Sequence, residues 1–178
     1  MTNIDICRKC YSVQTSCCTL KPDNNEKMMI PPVSEPEMAR ILSFMTSKGK
    51  KDLFVTRTNS KFYILQLLNL FPGMEKSIYK RFPENSSHFE LKTKENVCTL
   101  LGPEGCRLPK EIRPHFCSIY PFWVIEDELL TFQDSNCLAL KNSDTIAEAF
   151  LSLGTNPRAL YDIYSRILAD WSLSRTAE

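Results

Sequence analysis

Strong net charge of either sign is missing from this chain, and so are long apolar runs. Its 22 lysine and arginine residues nearly balance 21 aspartate and glutamate residues, which leaves a formal net charge of +1. Nucleic-acid-binding domains usually carry a clear basic excess. The most apolar stretch, residues 62–71, has about half of the ~20 residues that a membrane-spanning helix needs. We therefore expect neither nucleic acid nor a membrane among the binding partners.

Glycine and histidine are also scarce, with five and two residues respectively. The sequence contains no Gly-rich loop that would cradle a phosphate or a nucleotide cofactor. It contains no Ser-His-Asp set and no pair of carboxylates spaced for acid–base catalysis. Catalytic residues and an organic cofactor site are therefore left unassigned, and whether the protein is an enzyme stays open.

A secretory signal is not apparent in the first residues. They read MTNIDIC, with an early acid and no apolar run, whereas a signal peptide has a basic start followed by such a run. We therefore expect a cytoplasmic protein. In that compartment glutathione and thioredoxin keep thiols reduced.

Cysteine is the residue type that stands out. The eight cysteines form two groups, Cys7, Cys10, Cys17 and Cys18 in the first and Cys98, Cys106, Cys117 and Cys137 in the second. A chain of 178 residues can bury an ordinary hydrophobic core without disulfides. Its cysteine content also lies below the ~8–10% of disulfide-bonded scaffolds. A single cysteine is often just a small buried residue, but eight in two clusters indicate ligands of a metal ion or iron–sulfur cluster.

The first group begins with a CxxC motif at Cys7 and Cys10. This spacing lets two thiolates reach one cation while the intervening main-chain amides point towards the sulfurs. Redox enzymes share the motif, but there it follows a strand and starts a helix, which this segment does not supply. The vicinal pair Cys17 and Cys18 needs distorted backbone to reach one ion, so we expect one of them to join this centre and leave open which.

The second group is widely spaced, with seven residues between Cys98 and Cys106, ten more before Cys117 and nineteen before Cys137. The fold would have to bring these sulfurs together, around one centre or two. Four thiolates around a divalent ion leave a net charge of about −2, which neighbouring basic residues could offset. The candidates for this role are Arg107, Lys110 and Arg113.

The remaining polar and aromatic residues of this region are weaker candidates. His115 could supply an imidazole ligand, because it lies two residues before Cys117, and His88 has less support. Residues 126–128 are all acidic, and we interpret them as a solvated turn. The aromatic residues nearby are expected to belong to the core; they are Tyr120, Phe122, Trp123 and Phe132.

Capping signals and hydrophobic periodicity predict one α+β domain over residues 1–178, with helices around a small antiparallel, cysteine-rich centre. An irregular arm is expected before Pro31. The predicted helices cover residues 34–49, 60–70, 74–81, 144–153 and 157–172. Two hairpins are predicted, residues 89–93 with 97–101 and residues 122–125 with 129–132. Prolines at 109, 114 and 121 predict extended or turned backbone between the hairpins.

The order of these residues resembles the YkgJ-like cysteine-cluster family, zinc- or iron-chelating proteins named for a CxxCxxCC signature. The most specific part is RPxxCxxYPF, which starts at Arg113. The resemblance covers residues 7–137 and leaves residues 138–178, the C-terminal helices, outside it. The chain departs from the signature because six residues, instead of two, separate Cys10 from Cys17. A longer loop can still close on the same centre at small entropic cost.

The resemblance implies a protein that binds an iron–sulfur cluster, such as 4Fe-4S, or zinc through its eight cysteines. Soft all-sulfur ligation suits both occupants, and the excess of thiols slightly favours the cluster. Two alternatives stay open. Flagellin lysine N-methylase carries a similar cysteine-rich region, so the chain could be a redox or protein-modifying enzyme that uses its metal. It could also be an interaction module stapled by zinc, whose last helix docks an unidentified protein partner.

Overall fold

The computed structural model describes Ile6, Lys9, Cys18 and residues 30–46, 52–132 and 137–175. Cys7, Cys10 and Cys17 lie outside the described residues, as does most of the predicted N-terminal arm. In the part that is described, helices alternate with small antiparallel sheets. The predicted α+β class is therefore confirmed.

The α-helices of the described segments follow the chain in this order: α1 (Glu35–Thr46), α2 (Lys61–Leu70), α3 (Glu75–Arg81), α4 (His115–Ile119), α5 (Leu138–Lys141), α6 (Ile146–Leu153) and α7 (Pro157–Trp171). A 3-10 helix spans Lys110–Ile112. The longest helix, α7, packs against α4 and against a strand that follows α4.

The strands pair two by two, each with an antiparallel neighbour. They are β1 (Phe54–Thr58) with β2 (Ser87–Leu91), β3 (Thr93–Lys94) with β4 (Val97–Cys98), β5 (Leu101–Gly102) with β6 (Gly105–Cys106), and β7 (Phe122–Ile125) with β8 (Glu128–Thr131). The short pairs β3–β4 and β5–β6 follow each other directly, and each ends in a cysteine.

Local capping explains where the helices begin. The Ser34 hydroxyl accepts a hydrogen bond from the Glu37 main-chain N–H at 3.3 Å, and the Glu37 carboxylate accepts one from the Ser34 main-chain N–H at 2.8 Å. This reciprocal pair is the predicted capping box. At the start of α7, Asn156 Oδ1 accepts from the main-chain N–H of Ala159 at 2.9 Å, and Pro157 occupies the first helical position.

Several elements differ from the sequence prediction. The strand predicted at residues 89–93 pairs with β1, which the sequence did not predict, and only residues 93–94 form a hairpin with Val97 and Cys98. Helix α4 lies where prolines predicted extended or turned backbone; Pro114 is compatible with it because it precedes the first helical residue. Helix α5 is a single turn and was also not predicted.

Two hydrophobic clusters form the interior of the described residues. The larger contains Phe71, Phe122, Trp123, Leu160 and Trp171, together with other side chains from α2, α3, α4, β7 and α7. This confirms that Phe122 and Trp123 are core residues.

The smaller cluster consists of Val33, Ile41, Met45, Leu53, Leu91, Leu100 and Leu108, and the side chains of Cys98 and Cys106 pack against it. The segments with the second cysteine group are therefore supported by a core of their own. None of the described helices is long and apolar enough to cross a bilayer.

Candidate metal centre

Five cysteines belong to the described residues, and all five line one cavity of about 80 Å³. Cys98 ends β4, Cys106 ends β6, Cys117 lies in α4, and Cys137 directly precedes α5. The fifth is Cys18 of the first group. No disulfide joins any two of these five residues. The cavity therefore brings the second cysteine group together with a member of the first.

Cys18 is attached to the second group through the main chain. The N–H of Cys98 donates a hydrogen bond to the carbonyl oxygen of Cys18 at 2.8 Å. Ile6, which immediately precedes the CxxC motif in sequence, also lines the cavity. Of the vicinal pair, Cys18 is thus the member that the structure describes and places at the cavity, while Cys17 lies outside the described residues.

The turn that precedes Cys106 is built on two glycines. Gly102 pairs with Gly105 across the β5–β6 hairpin, and Gly105 has φ of +88°. Side chains other than hydrogen are strained at this angle, so glycine is required for the tight reversal. The chain leaves this turn directly into Cys106.

Cys117 of helix α4 lines the cavity, and the first residue of this helix is hydrogen-bonded to Glu37. The Glu37 carboxylate accepts a hydrogen bond from the main-chain N–H of His115 at 2.5 Å. This N–H belongs to the first residue of α4 and has no partner within the helix. One buried carboxylate therefore fixes the starts of both α1 and α4.

Cys117 combines an accessible surface with a crowded environment. The residue is exposed, yet burial is the main reason why the pKa of its thiol is raised well above the ordinary value. Cys117 lines the cavity already described and a second one of about 70 Å³, which Cys18 and Cys98 also line. Its accessible surface faces these cavities, while the protein atoms that surround the thiol determine its electrostatic environment.

Burial also raises the pKa of two further thiols, those of Cys98 and Cys106. It raises the pKa of Cys98 to about 12, and the neighbouring thiols of Cys18 and Cys106 add to the effect. Burial raises the pKa of Cys106 as well, against an opposing contribution from Arg113. Without a cation, these thiols are therefore neutral at physiological pH. A bound metal would supply the positive charge that favours the thiolates.

Main-chain donors point at two of the sulfurs. The N–H groups of Leu100 and Leu101 donate to Cys98, and the N–H of Leu108 donates to Cys106. In both cases the first donor lies two residues after the cysteine. Hydrogen bonds of this kind stabilise thiolates and tune the potential of iron–sulfur clusters. The spacing of the second group did not indicate which main-chain amides would act as donors, because it contains no CxxC motif.

The sulfur atoms are more widely separated than a single zinc ion requires. Tetrahedral zinc with Zn–S bonds of ~2.3 Å brings its sulfurs to about 3.8 Å from one another. Among the residues that the structure describes, no three cysteine sulfurs all lie within 4.8 Å of one another. A multi-metal cluster, whose thiolates bind different iron atoms, spans wider separations.

A second group of ligand-type side chains consists of Glu37, His115 and Asp170, whose ligand atoms all lie within 4.8 Å of one another. The carboxylates are already engaged by the protein: Glu37 accepts two main-chain N–H groups, and Asp170 accepts from the Ser34 hydroxyl at 2.8 Å. His115 Nε2 lies 3.6 Å from Asp170. The pKa of His115 is lowered, mainly because its imidazole is partly buried. We interpret this group as a structural network that joins α1, α4 and α7.

No protein-family model, curated protein or solved structure matches the chain. The resemblance to the YkgJ-like family therefore stays a prediction from the cysteine pattern, and the site is assigned from its own residues.

The cavity lining differs from the sequence prediction in two ways: it contains neither candidate histidine, and it includes residues that were not predicted as part of the site. Neither His88 nor His115 lines the cavity; His88 lies between Asn59, at 2.6 Å, and Glu90, at 2.9 Å. Tyr120, predicted as a core residue, is half-buried and lines the cavity. Ala139 and Leu153 also line it. These two lie beyond the family-like part of the chain, where no cysteine pattern could have indicated them.

Proposed function

We propose that this chain binds an iron–sulfur cluster through cysteine thiolates, in a site formed by both cysteine groups. The observation that carries the proposal is that five cysteines from distant parts of the sequence line the same apolar cavity. Isolated buried cysteines would have no reason to converge, because a small apolar residue packs equally well anywhere in a core.

The environment of the sulfurs supports a cluster more than a single zinc ion. No three of the described cysteine sulfurs lie within 4.8 Å of one another, whereas one tetrahedral zinc ion would hold its sulfurs at about 3.8 Å. Main-chain N–H donors point at Cys98 and Cys106, as is typical of iron–sulfur sites. The apolar lining would also keep water away from the cluster, which is one of the ways a protein sets its potential.

The ligand set extends beyond the five described cysteines. Cys7, Cys10 and Cys17 are candidates from the sequence, and a 4Fe-4S cluster takes four thiolates. The chain therefore holds more thiols than one cluster uses, and the others could exchange with ligands or bind a second centre. A reducing compartment such as the cytoplasm would keep all of them available.

The test is to purify the full chain without oxygen and to measure iron, acid-labile sulfide and zinc per chain beside the visible spectrum. We expect iron and sulfide in equal amounts with a broad absorbance that bleaches on reduction. A colourless protein with stoichiometric zinc would replace the cluster by a zinc site. A folded, metal-free protein with eight titratable thiols would overturn metal binding altogether.

A matched pair of variants separates ligand loss from general damage. Cys117→Ser removes a sulfur from the cavity, whereas Ser118→Ala changes the next residue in the same helix, whose hydroxyl bonds to the Pro114 carbonyl oxygen at 3.1 Å. We expect the first variant to lose iron and sulfide and the second to keep both. Equal metal content in the two variants would remove Cys117 from the ligand set.

A further inference from the structure

The three basic residues that follow Cys106 in sequence have different environments. Arg107 is exposed and packs over Gly102, whose missing side chain would lie 3.2 Å from Arg107 Nε. Lys110 is also exposed, and its Nζ donates to the carbonyl oxygen of Leu153 at 2.7 Å. Arg113 is half-buried and lines the cavity. Among the described residues that line this cavity, Arg113 is the only one whose side chain is charged at neutral pH in the absence of metal.

The position of the Arg113 guanidinium is fixed by its neighbours. Arg113 Nε donates a hydrogen bond to the carbonyl oxygen of Leu108 at 3.0 Å. The N–H of the same Leu108 donates to the sulfur of Cys106, and the Arg113 side chain donates to that sulfur as well. The Cys106 sulfur therefore accepts hydrogen bonds from the Leu108 main-chain N–H and from the Arg113 side chain, and Arg113 is itself held by the Leu108 carbonyl oxygen.

We propose that Arg113 is a positioning residue for the metal centre, whose charge and hydrogen bond to Cys106 stabilise the negatively charged set of bound thiolates. This inference rests on the proposed function. Four thiolates around zinc or a 4Fe-4S cluster leave a net charge of about −2. In an apolar cavity a nearby cation interacts with this charge more strongly than it would in water. Arg113 supplies that cation, whereas Arg107 and Lys110 do not line the cavity.

The experiment compares three variants of the full chain, each loaded with metal without oxygen. Arg113→Gln removes the charge, Arg113→Lys keeps it, and Arg107→Gln is the matched control at an exposed arginine. The first readout is the rate at which a chelator removes the metal, which applies to iron and zinc alike. For a cluster, the second readout is the midpoint potential, measured from the spectrum during reductive titration.

We expect Arg113→Gln to release its metal about tenfold faster than the wild-type protein, with Arg107→Gln unchanged and Arg113→Lys within threefold of wild type. For a cluster, reduction adds negative charge, so its equilibrium should become about tenfold less favourable in Arg113→Gln, which is ~59 mV for one electron. If the glutamine variant does not fold, Arg113→Lys decides. A folded lysine variant that releases metal tenfold faster than wild type would overturn the role of the charge.

Two further outcomes are distinguishable. If Arg113→Gln and Arg107→Gln bind metal but do not differ in release rate or potential, the role of Arg113 is wrong while the proposed centre stands. If the wild-type chain takes up neither iron nor zinc, the proposed function fails and this inference fails with it.

Discussion

The main-chain N–H of Cys98 donates a hydrogen bond to the carbonyl oxygen of Cys18, with an N–O distance of 2.8 Å. This bond connects the end of β4 with Cys18 of the N-terminal cysteine group. It also places the two side chains at the same cavity. Among the described residues, this hydrogen bond connects the main chains of the two cysteine groups.

The first prediction concerns the equivalence of these two residues. Because Cys18 and Cys98 line the same cavity, Cys18→Ser and Cys98→Ser should lose bound metal to a similar extent. Metal per chain is measured by elemental analysis after anaerobic purification, with Ser118→Ala as the control. A Cys18→Ser protein with full metal content, beside a depleted Cys98→Ser protein, would show that the first group serves another purpose.

The second prediction concerns metal removal. Cys98 and Cys106 pack against the smaller core, whereas α7 belongs to the larger one. A bound metal stabilises the segments that supply its ligands, so its removal should destabilise those segments first. Chelation should therefore speed hydrogen exchange in residues 93–108 much more than in residues 157–171. Peptide-level exchange followed by mass spectrometry measures this, and equal changes in both regions would contradict a local effect.

The third prediction concerns the buried carboxylate of Glu37, which accepts main-chain hydrogen bonds from Ser34 and His115. Glu37→Gln keeps the shape but removes the charge, and hydrogen bonds to a charged group are worth more than neutral ones. We expect the free energy of unfolding to fall by about 2 kcal/mol. Urea unfolding of the metal-loaded protein measures this change.

Glu35 provides the control, because it is an exposed acid in the first turn of the same helix. Glu35→Gln should change the free energy of unfolding by about 0.5 kcal/mol or less. If the two variants are equally stable, Glu37 does not hold α1 and α4 together.

The fourth prediction concerns Tyr63, a buried residue whose hydroxyl has no hydrogen-bond partner among the described residues. Its ring stacks on that of His88, with 4.0 Å between the ring centroids. Tyr63→Phe keeps the stack and removes an unsatisfied polar atom. We expect the free energy of unfolding at neutral pH to rise by about 1 kcal/mol. A loss of similar size would mean that the hydroxyl is bonded in solution.

The same residue predicts an alkaline pH dependence. Burial, followed by the charge of Glu90, raises the pKa of Tyr63 above its ordinary value of 10.0. The folded protein therefore keeps the phenolic proton at pH values where the unfolded chain has lost it. The free energy of unfolding should thus fall as the pH rises above 10.0. Tyr63→Phe should fall less steeply over the same range, as measured by denaturant unfolding at successive pH values.

The helices could be predicted from the sequence because their ends are set locally. Ser60 accepts a hydrogen bond from the main-chain N–H of Tyr63 at 3.1 Å, and α2 begins between them as predicted. Gly154 adopts a left-handed conformation and ends α6, while Asn156 and Pro157 begin α7. Each of these signals lies within a few residues of the boundary that it determines.

Strand β1 could not be predicted because its stability comes from a distant partner. Residues 54–58 have no regular alternation of apolar and polar side chains, and their hydrogen bonds are made with residues 87–91. Helix α4 was missed for a related reason. Its first main-chain N–H is bonded by Glu37, a residue far away in sequence, so the neighbouring prolines were a poor guide.

The candidate site was predictable in its residue type and not in its geometry. The sequence identified the thiols and three basic residues that could offset their charge. It did not show which of these, Arg113, lines the cavity, nor that Cys18 is bonded to Cys98. Both facts depend on tertiary packing, which the spacing of residues along the chain does not determine.

X-ray absorption spectroscopy of the anaerobically purified protein, at the iron and zinc edges, tests the central claim most directly. A centre in the cysteine cavity predicts sulfur as the first neighbour of the metal, together with iron–iron scattering for a cluster. Binding at Glu37, His115 and Asp170 would instead give oxygen and nitrogen neighbours. A first shell of that kind, or a protein that retains neither metal, would contradict a thiolate-bound centre.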